Sequence, residues 1–226
     1  MLFDILFPSK CVGCGTLGTS ICAKCIQNIH PITTNVCPAC FFPSWFGTTH
    51  EQCHKQTYLD GAISLVQYSG VVKQIVKITK YRGAHKTLSD FLSRAPLKWY
   101  ETMNIFSKKI PRAILCPIPL HKIRENNRGF NQSIILAKTF EKTTTLPVKP
   151  LLKRVKNTPP QAQQKTRKAR KENIKSAFEI RNIYKPISEV VLVDDLFTSG
   201  NTANEAARML KKNGAEKVYL FTLAHG

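Results

Sequence analysis

Acidic side chains are scarce in this sequence: 14 Asp and Glu face 34 Lys and Arg across 226 residues, a formal charge of +20. Such a surface attracts polyanions, meaning nucleic acid, phosphorylated ligands or an anionic membrane. The excess is concentrated. Between Lys149 and Lys185, twelve Lys and Arg stand against only Glu172 and Glu179. That stretch reads equally as a solvated loop, because charge alone identifies no partner. Also missing is any apolar run near the ~18 residues that a membrane span requires. The opening Met1–Phe7 is apolar but short, carries Asp4, and lacks a basic leader and a small-residue cleavage site. It reads as a short helix ending at Pro8 and not as a signal peptide. A cytoplasmic location is therefore expected, where thiols stay reduced. Eight cysteines in such a compartment imply metal ligands before disulfides.

Apolar residues make up 42% of the chain, enough for a core, and charged residues only 21%, too few for wholesale disorder. The texture changes near Tyr58. Residues 1–58 hold seven of the eight cysteines and little hydrophobic periodicity, so they read as a small module that cannot build an apolar core by itself. From 59 to 226 strands and helices alternate. Gly61–Tyr68 reads as a strand and Val71–Tyr81 as an amphipathic helix with Val72, Ile75, Val76 and Ile78 inward. Phe91–Phe106 reads as a helix interrupted at Pro96. Ala113–Pro119 is a strand, Asn131–Lys142 a helix, Val190–Val193 a buried strand, Thr202–Asn213 a helix stopped by Gly214, and Lys217–Leu223 a last strand. Residues 157–176 are polar, basic and Gln-rich and read as a mobile loop. This order predicts an α/β domain with a parallel sheet and crossover helices.

The cysteines come as Cys11-x-x-Cys14, Cys22-x-x-Cys25 and Cys37-x-x-Cys40, and His50-x-x-Cys53 is a fourth pair. A two-residue gap lets a tight knuckle aim both ligands at one ion, and two knuckles complete a tetrahedral structural zinc site. Gly13 and Gly15 beside Cys14 suit such a turn. The simplest assignment is sequential: Cys11, Cys14, Cys22 and Cys25 for one ion, and Cys37, Cys40, His50 and Cys53 for a second. Interleaved pairing satisfies the same spacing, and His54 is an alternative to His50. Such closed shells are structural, and the metal replaces the missing apolar core. Cys116 stands alone in a strand and reads as packing.

The sharpest motif is Val190-Val-Leu-Val-Asp-Asp-Leu-Phe-Thr-Ser-Gly-Asn-Thr202. It joins an apolar strand, two acids, a short Gly-containing loop and a helix. The loop from Phe197 through Thr198, Ser199, Gly200, Asn201 and Thr202 places backbone N–H groups at a helix N-terminus, a phosphate site helped by the helix dipole. Gly200 lets the backbone approach closely. Asp194 and Asp195 lie at the C-terminal end of the strand, where open α/β sheets bind ligands. A pair of buried acids there is costly without a ligand or partner.

This stretch resembles the thirteen-residue PRPP motif of type I phosphoribosyltransferases. The resemblance implies that Asp194 and Asp195 contact the ribose hydroxyls beside Mg²⁺ and that the loop cradles the 5′-phosphate. Lys80, Tyr81, Arg82 and Gly83 resemble the pyrophosphate-binding region of those enzymes. Pro117-Ile-Pro-Leu-His121, Arg124, the run Arg128-Gly-Phe-Asn-Gln132, then Gln161, Arg170, Asn173 and Ala177-Phe178, together with the paired cysteines, are similar to the ComF family along nearly the whole chain. His50 departs from that pattern, which has a cysteine there. The resemblance implies a type I phosphoribosyltransferase fold preceded by a zinc-ribbon module, with Zn, Mg and PRPP as ligands. It also implies a role in natural transformation, with single-stranded DNA and other DNA-uptake proteins as partners. Arg128 is counted with the PRPP-binding residues. The alternative is an active transferase moving phosphoribose to an unknown acceptor. Phe130, Trp45 and Phe46 are candidate stacking surfaces for unpaired bases, or else local packing.

Overall fold

The computed structural model describes residues 9–81, 84–158, 174–181 and 187–226. The expected helix at Met1–Phe7, most of the basic loop at 157–176, and Arg82, Gly83, Gln161, Arg170 and Asn173 lie outside the described residues. Four parallel strands form the central sheet in the order β1-β6-β5-β2, with β1 at Gly61–Gln67, β2 at Ile114–Pro117, β5 at Glu189–Phe197 and β6 at Lys217–His225. A separate two-stranded antiparallel ribbon pairs β3 (Leu152–Arg154) with β4 (Phe178–Ile180).

The strands are apolar at nearly every position because both faces of the sheet are covered, as parallel sheets require. Alternate residues divide between two cores. Ile63, Leu65, Leu115, Val191, Val193, Phe221 and Leu223 belong to one. Ala62, Ile114, Cys116, Val190, Leu192, Val218 and Leu220 belong to the other. On the first face pack α2 (Gly70–Ile78), α3 (His85–Arg94), α4 (Glu101–Ser107) and α6 (Gln132–Thr144). On the second pack α7 (Asn201–Lys212) and the ribbon, through Ala203, Ala206, Leu210, Leu152 and Phe178.

The helix expected over Phe91–Phe106 is split in two. Ala95 adopts an extended conformation (φ −62°, ψ 129°) because the ring of Pro96 excludes the helical one, and a 3₁₀ turn at Leu97–Tyr100 re-aims the chain into α4. Ile78 is only half-buried, so α2 turns a narrower face inward than its pattern implies. The sequence reading also passed over α5 (Lys122–Arg128), which buries no residue and so has no apolar stripe to detect.

The cysteine-rich segment, which includes the short helix α1 (Ala23–Gln27), is built against the sheet. Ile21 and Ile29 enter the same core as Phe91 and Phe221. Its backbone lines the outer edge of β1: Ile32 N donates to Leu65 O (2.8 Å), and Gln67 N donates to His30 O (2.9 Å). That pairing covers an edge otherwise open to other chains. At the crossing, Gly47 has φ +64°, and a Cβ there would sit 1.9 Å from the carbonyl oxygen of Ala62. Only glycine fits.

Candidate functional site

Local chemistry explains how α5 and α6 reach the ends of β2 and β5. His121 caps α5 by accepting from Ile123 N (3.4 Å). Gly129, at φ +79°, ends it in the left-handed conformation that favours glycine. Asn131 then caps α6: its Oδ1 accepts from Ser133 N (3.0 Å), and its Nδ2 donates to Ile118 O (3.0 Å), tying the new helix to the exit of β2. The Arg-Gly-Phe-Asn-Gln run is thus a helix stop followed at once by a helix start.

The first turn of α6 faces the two acids. Ser133 Oγ donates to Asp194 Oδ1 (3.1 Å), and Gln132 Nε2 donates to Asp195 Oδ2 (3.2 Å). Arg128 holds Gln132 in place by donating to its Oε1 (3.1 Å). Asp195 N donates to Asp194 Oδ1 (2.9 Å). Burial raises both carboxyls above the ordinary range. Asp195 adds to the rise at Asp194, whereas the charges of Lys80 and Arg128 draw Asp195 back down.

Three guanidinium groups stand on the same side. Burial lowers Arg124, Arg128 and Arg154, the last to about 10, and their mutual repulsion adds to the effect at Arg124 and Arg154. Arg124 donates to the carbonyl of Thr158, and Arg154 to its hydroxyl (2.6 Å). Arg154 Nε is buried with no hydrogen-bond partner among the described residues.

At the end of β5 the chain turns through Thr198, Ser199 and Gly200 into α7. Gly200 is the N-cap at φ +68° and brings no side chain of its own to the first turn. Phe197, counted among the ligand-binding residues on sequence, buries its ring and can offer a ligand only its backbone. Thr198 is exposed, and Ser199, Asn201 and Thr202 are half-buried. Asn201 Nδ2 is a second buried donor without a partner among the described residues. Lys80 and Tyr81 are exposed at the end of α2. Phe130 is half-buried with its ring edge-on to His85 (5.8 Å), and Trp45 is 78% exposed. Phe46 packs on Phe106 (6.0 Å) beneath the Lys109 ammonium (4.4 Å).

Ser133 and Arg154 were missed on sequence. Ser133 directly follows the recognised run, so its position was the available signal. Arg154 lies in the basic stretch with nothing local to set it apart.

The ligand groups of Cys11, Cys14, Cys22 and Cys25 lie within 4.8 Å of one another, as do those of Cys37, Cys40, His50 and Cys53. The pairing is sequential, and His50 joins the second cluster while His54 stays exposed outside it. Cys14 Sγ and Cys22 Sγ are 3.5 Å apart, near the ~3.8 Å edge of a tetrahedron with zinc–sulfur bonds of ~2.3 Å. His50 turns Nδ1 to Cys40 Sγ (3.3 Å) and Nε2 to Pro43 O (3.2 Å). The carbonyl accepts the Nε2 proton and leaves Nδ1 free to ligate. Both donor sets fit zinc, and this is a zinc-binding module. Burial pushes the lone Cys116 thiol up to about 12, as packing requires.

Residues 2–56 match the family model for the double zinc ribbon domain, and residues 128–226 that for the phosphoribosyl transferase domain. The chain is 30% identical over 213 residues to Competence protein ComFC of Bacillus subtilis, covering 90% of this chain and 83% of that protein. It is 28% identical to Competence protein F of Haemophilus influenzae, covering 90% and 96%. It is 26% identical to DNA utilization protein YhgH of Escherichia coli, covering 90% and 89%.

Proposed function

This chain belongs to the ComF family of competence proteins, and from that premise we propose that it binds PRPP with Mg²⁺ and single-stranded DNA in the cytoplasm during DNA uptake. In this reading residues 1–58 are the zinc-bearing module and residues 59–226 the phosphoribosyltransferase-like domain. One observation carries the proposal: two carboxyls held above their ordinary range stand beside a helix N-terminus that opens at Gly200 in the left-handed conformation. The first group suits ribose hydroxyls and a divalent cation; the second suits a 5′-phosphate. Thr198, Ser199, Asn201 and Thr202 supply further polar groups to that phosphate. Gln132 and Ser133 orient the carboxyls. Lys80, Tyr81, Arg82, Gly83 and Arg128 are assigned to the diphosphate by their resemblance to the pyrophosphate-binding region, and the charge of +20 favours a nucleic-acid partner.

A second reading, transfer of phosphoribose to a nucleophile, is favoured by Arg128 and Arg154, whose charges interact with the acids, and by Arg124 next to them. When the ribose C1–oxygen bond breaks, both electrons leave with the diphosphate, and cations so placed stabilise that charge. One experiment addresses both readings. Calorimetry with Mg-PRPP and with a single-stranded oligonucleotide over a range of salt is compared between wild type and an Asp194→Ala/Asp195→Ala variant. Diphosphate release is followed in parallel. Binding of both ligands, with oligonucleotide affinity falling steeply in salt and no diphosphate released, supports the uptake role. Release lost in the variant supports the transferase. A wild-type protein indifferent to Mg-PRPP ends both.

A further inference from the structure

The opening knuckles of the two zinc clusters, the first at Cys11–Cys14 and the second at Cys37–Cys40, are built alike. Gly15 N donates to Cys11 O (2.8 Å) and Cys11 N to Thr16 O (2.8 Å). Phe41 N donates to Cys37 O (2.9 Å) and Cys37 N to Phe42 O (2.9 Å). In each knuckle the residue after the second cysteine takes a left-handed conformation, Gly15 at φ +78° and Phe41 at φ +64°. Glycine adopts that conformation freely, whereas a bulky side chain there is strained. The first knuckle has the expected residue and the second does not. Strain of this kind persists where the surroundings impose it.

The Phe41 ring supplies the surroundings. It stacks on Phe197 with centroids 5.6 Å apart, and Phe197 stacks in turn on His225 at 4.9 Å. Phe197 is the last residue of β5, and the phosphate loop begins at the next residue. The same ring lies directly under the loop: a Cβ on Gly200 would come within 3.0 Å of Phe197 Cε2. The segment after Cys53 grips the helix behind the loop. Thr57 Oγ1 and Tyr58 N both donate to Asn204 Oδ1, at 2.8 and 2.6 Å. A cavity of about 570 Å³ runs between the two parts, lined by Lys55, Thr57, Ser199, Gly200 and Asn201 among others.

We propose that Phe41 is a positioning residue for the phosphate loop, so that the second zinc knuckle sets affinity for the 5′-phosphate through the ring of Phe197. This rests on the PRPP reading above. The ring fixes Phe197, Phe197 fixes the floor under Gly200, and the amides opening α7 are thereby held in one arrangement before any ligand arrives. Preorganisation of this kind raises affinity without a direct contact.

The test uses the zinc-loaded full chain. Phe41→Gly gives the second knuckle the residue of the first, relieving backbone strain while removing the ring, and Phe41→Tyr restores an aromatic ring. Zinc content, amide hydrogen exchange, and affinities for ribose 5-phosphate and inorganic pyrophosphate are measured for each. Phe41→Gly is expected to keep the zinc content of wild type and to exchange faster at residues 198–202. It should bind ribose 5-phosphate about three- to tenfold more weakly, the range a stacked aromatic pair supports. Pyrophosphate affinity should not move, and Phe41→Tyr should match wild type. Unchanged exchange at residues 198–202 overturns the proposal, as does faster exchange spread evenly over the chain. Loss of zinc in Phe41→Gly overturns it too, since the ring would then serve the knuckle itself. A wild type that ignores ribose 5-phosphate counts against the PRPP reading alone, because the exchange measurement still decides whether Phe41 holds the loop.

Discussion

Replacing Asp194 with Asn should make this protein more stable and, on the proposed reading, abolish sugar-phosphate binding. Asp194 Oδ1 accepts from Ser133 Oγ at 3.1 Å and from Asp195 N at 2.9 Å. An asparagine oxygen can accept both bonds, so the substitution deletes charge and little else. Burial, and then the adjacent Asp195, push the Asp194 carboxyl from 3.8 up to about 8, with Ser133, the Asp195 amide and Arg154 offsetting only part. The folded state therefore keeps a proton that the unfolded chain gives up above 3.8. Between those two values stability falls as pH rises, at about 1.4 kcal/mol per pH unit for one proton. The loss is complete above the folded value. Asparagine does not titrate and escapes this cost. For a chain of this length each kcal/mol moves Tm by about 2–4 °C. The Tm advantage of Asp194→Asn over wild type should then widen by about 3–6 °C per pH unit from pH 6 towards 8 and level off above. Scanning calorimetry at a series of pH values, without magnesium or sugar phosphate, measures it. The zinc ligands are common to both proteins, so their titration cancels in the difference. A Tm difference that stays flat across this range, or an Asn variant less stable than wild type throughout, would falsify the account of the acid pair.

Two further substitutions probe the zinc module and its seam with the sheet. Gly47→Ala places a methyl group 1.9 Å from the Ala62 carbonyl oxygen at φ +64°. It should cost at least about 3 kcal/mol in chemical denaturation, and a loss under about 1 kcal/mol would mean that the seam is not packed as described. His50→Ala should lower zinc content by the second ion, whereas His54→Ala should leave it unchanged. Metal analysis of the purified variants distinguishes them, and the reverse pattern would reassign the ligand.

The strands of the central sheet were legible because a strand covered on both faces must be apolar almost throughout, and Val190–Val193 and Lys217–Leu223 say so without help. The cysteine pairs were legible for a related reason. A knuckle is closed by backbone bonds within a few residues, so its spacing records its shape. The loop after β5 is equally local, a strand, a turn at Gly200 and a helix in one continuous segment.

Sequence by itself therefore determined the zinc knuckles, the parallel sheet and the loop that opens α7, since each is settled by residues adjacent in the chain. Only the tertiary structure decided which knuckles pair, that His50 and not His54 joins the second cluster, that Ser133 bonds to Asp194 from 61 positions away, and that the charge of Arg154 acts on Asp194 from 40. It also decided that Phe41 meets Phe197. Those contacts exist only once the sheet has closed. Distance through space then replaces distance along the chain, and no local pattern of residues records it.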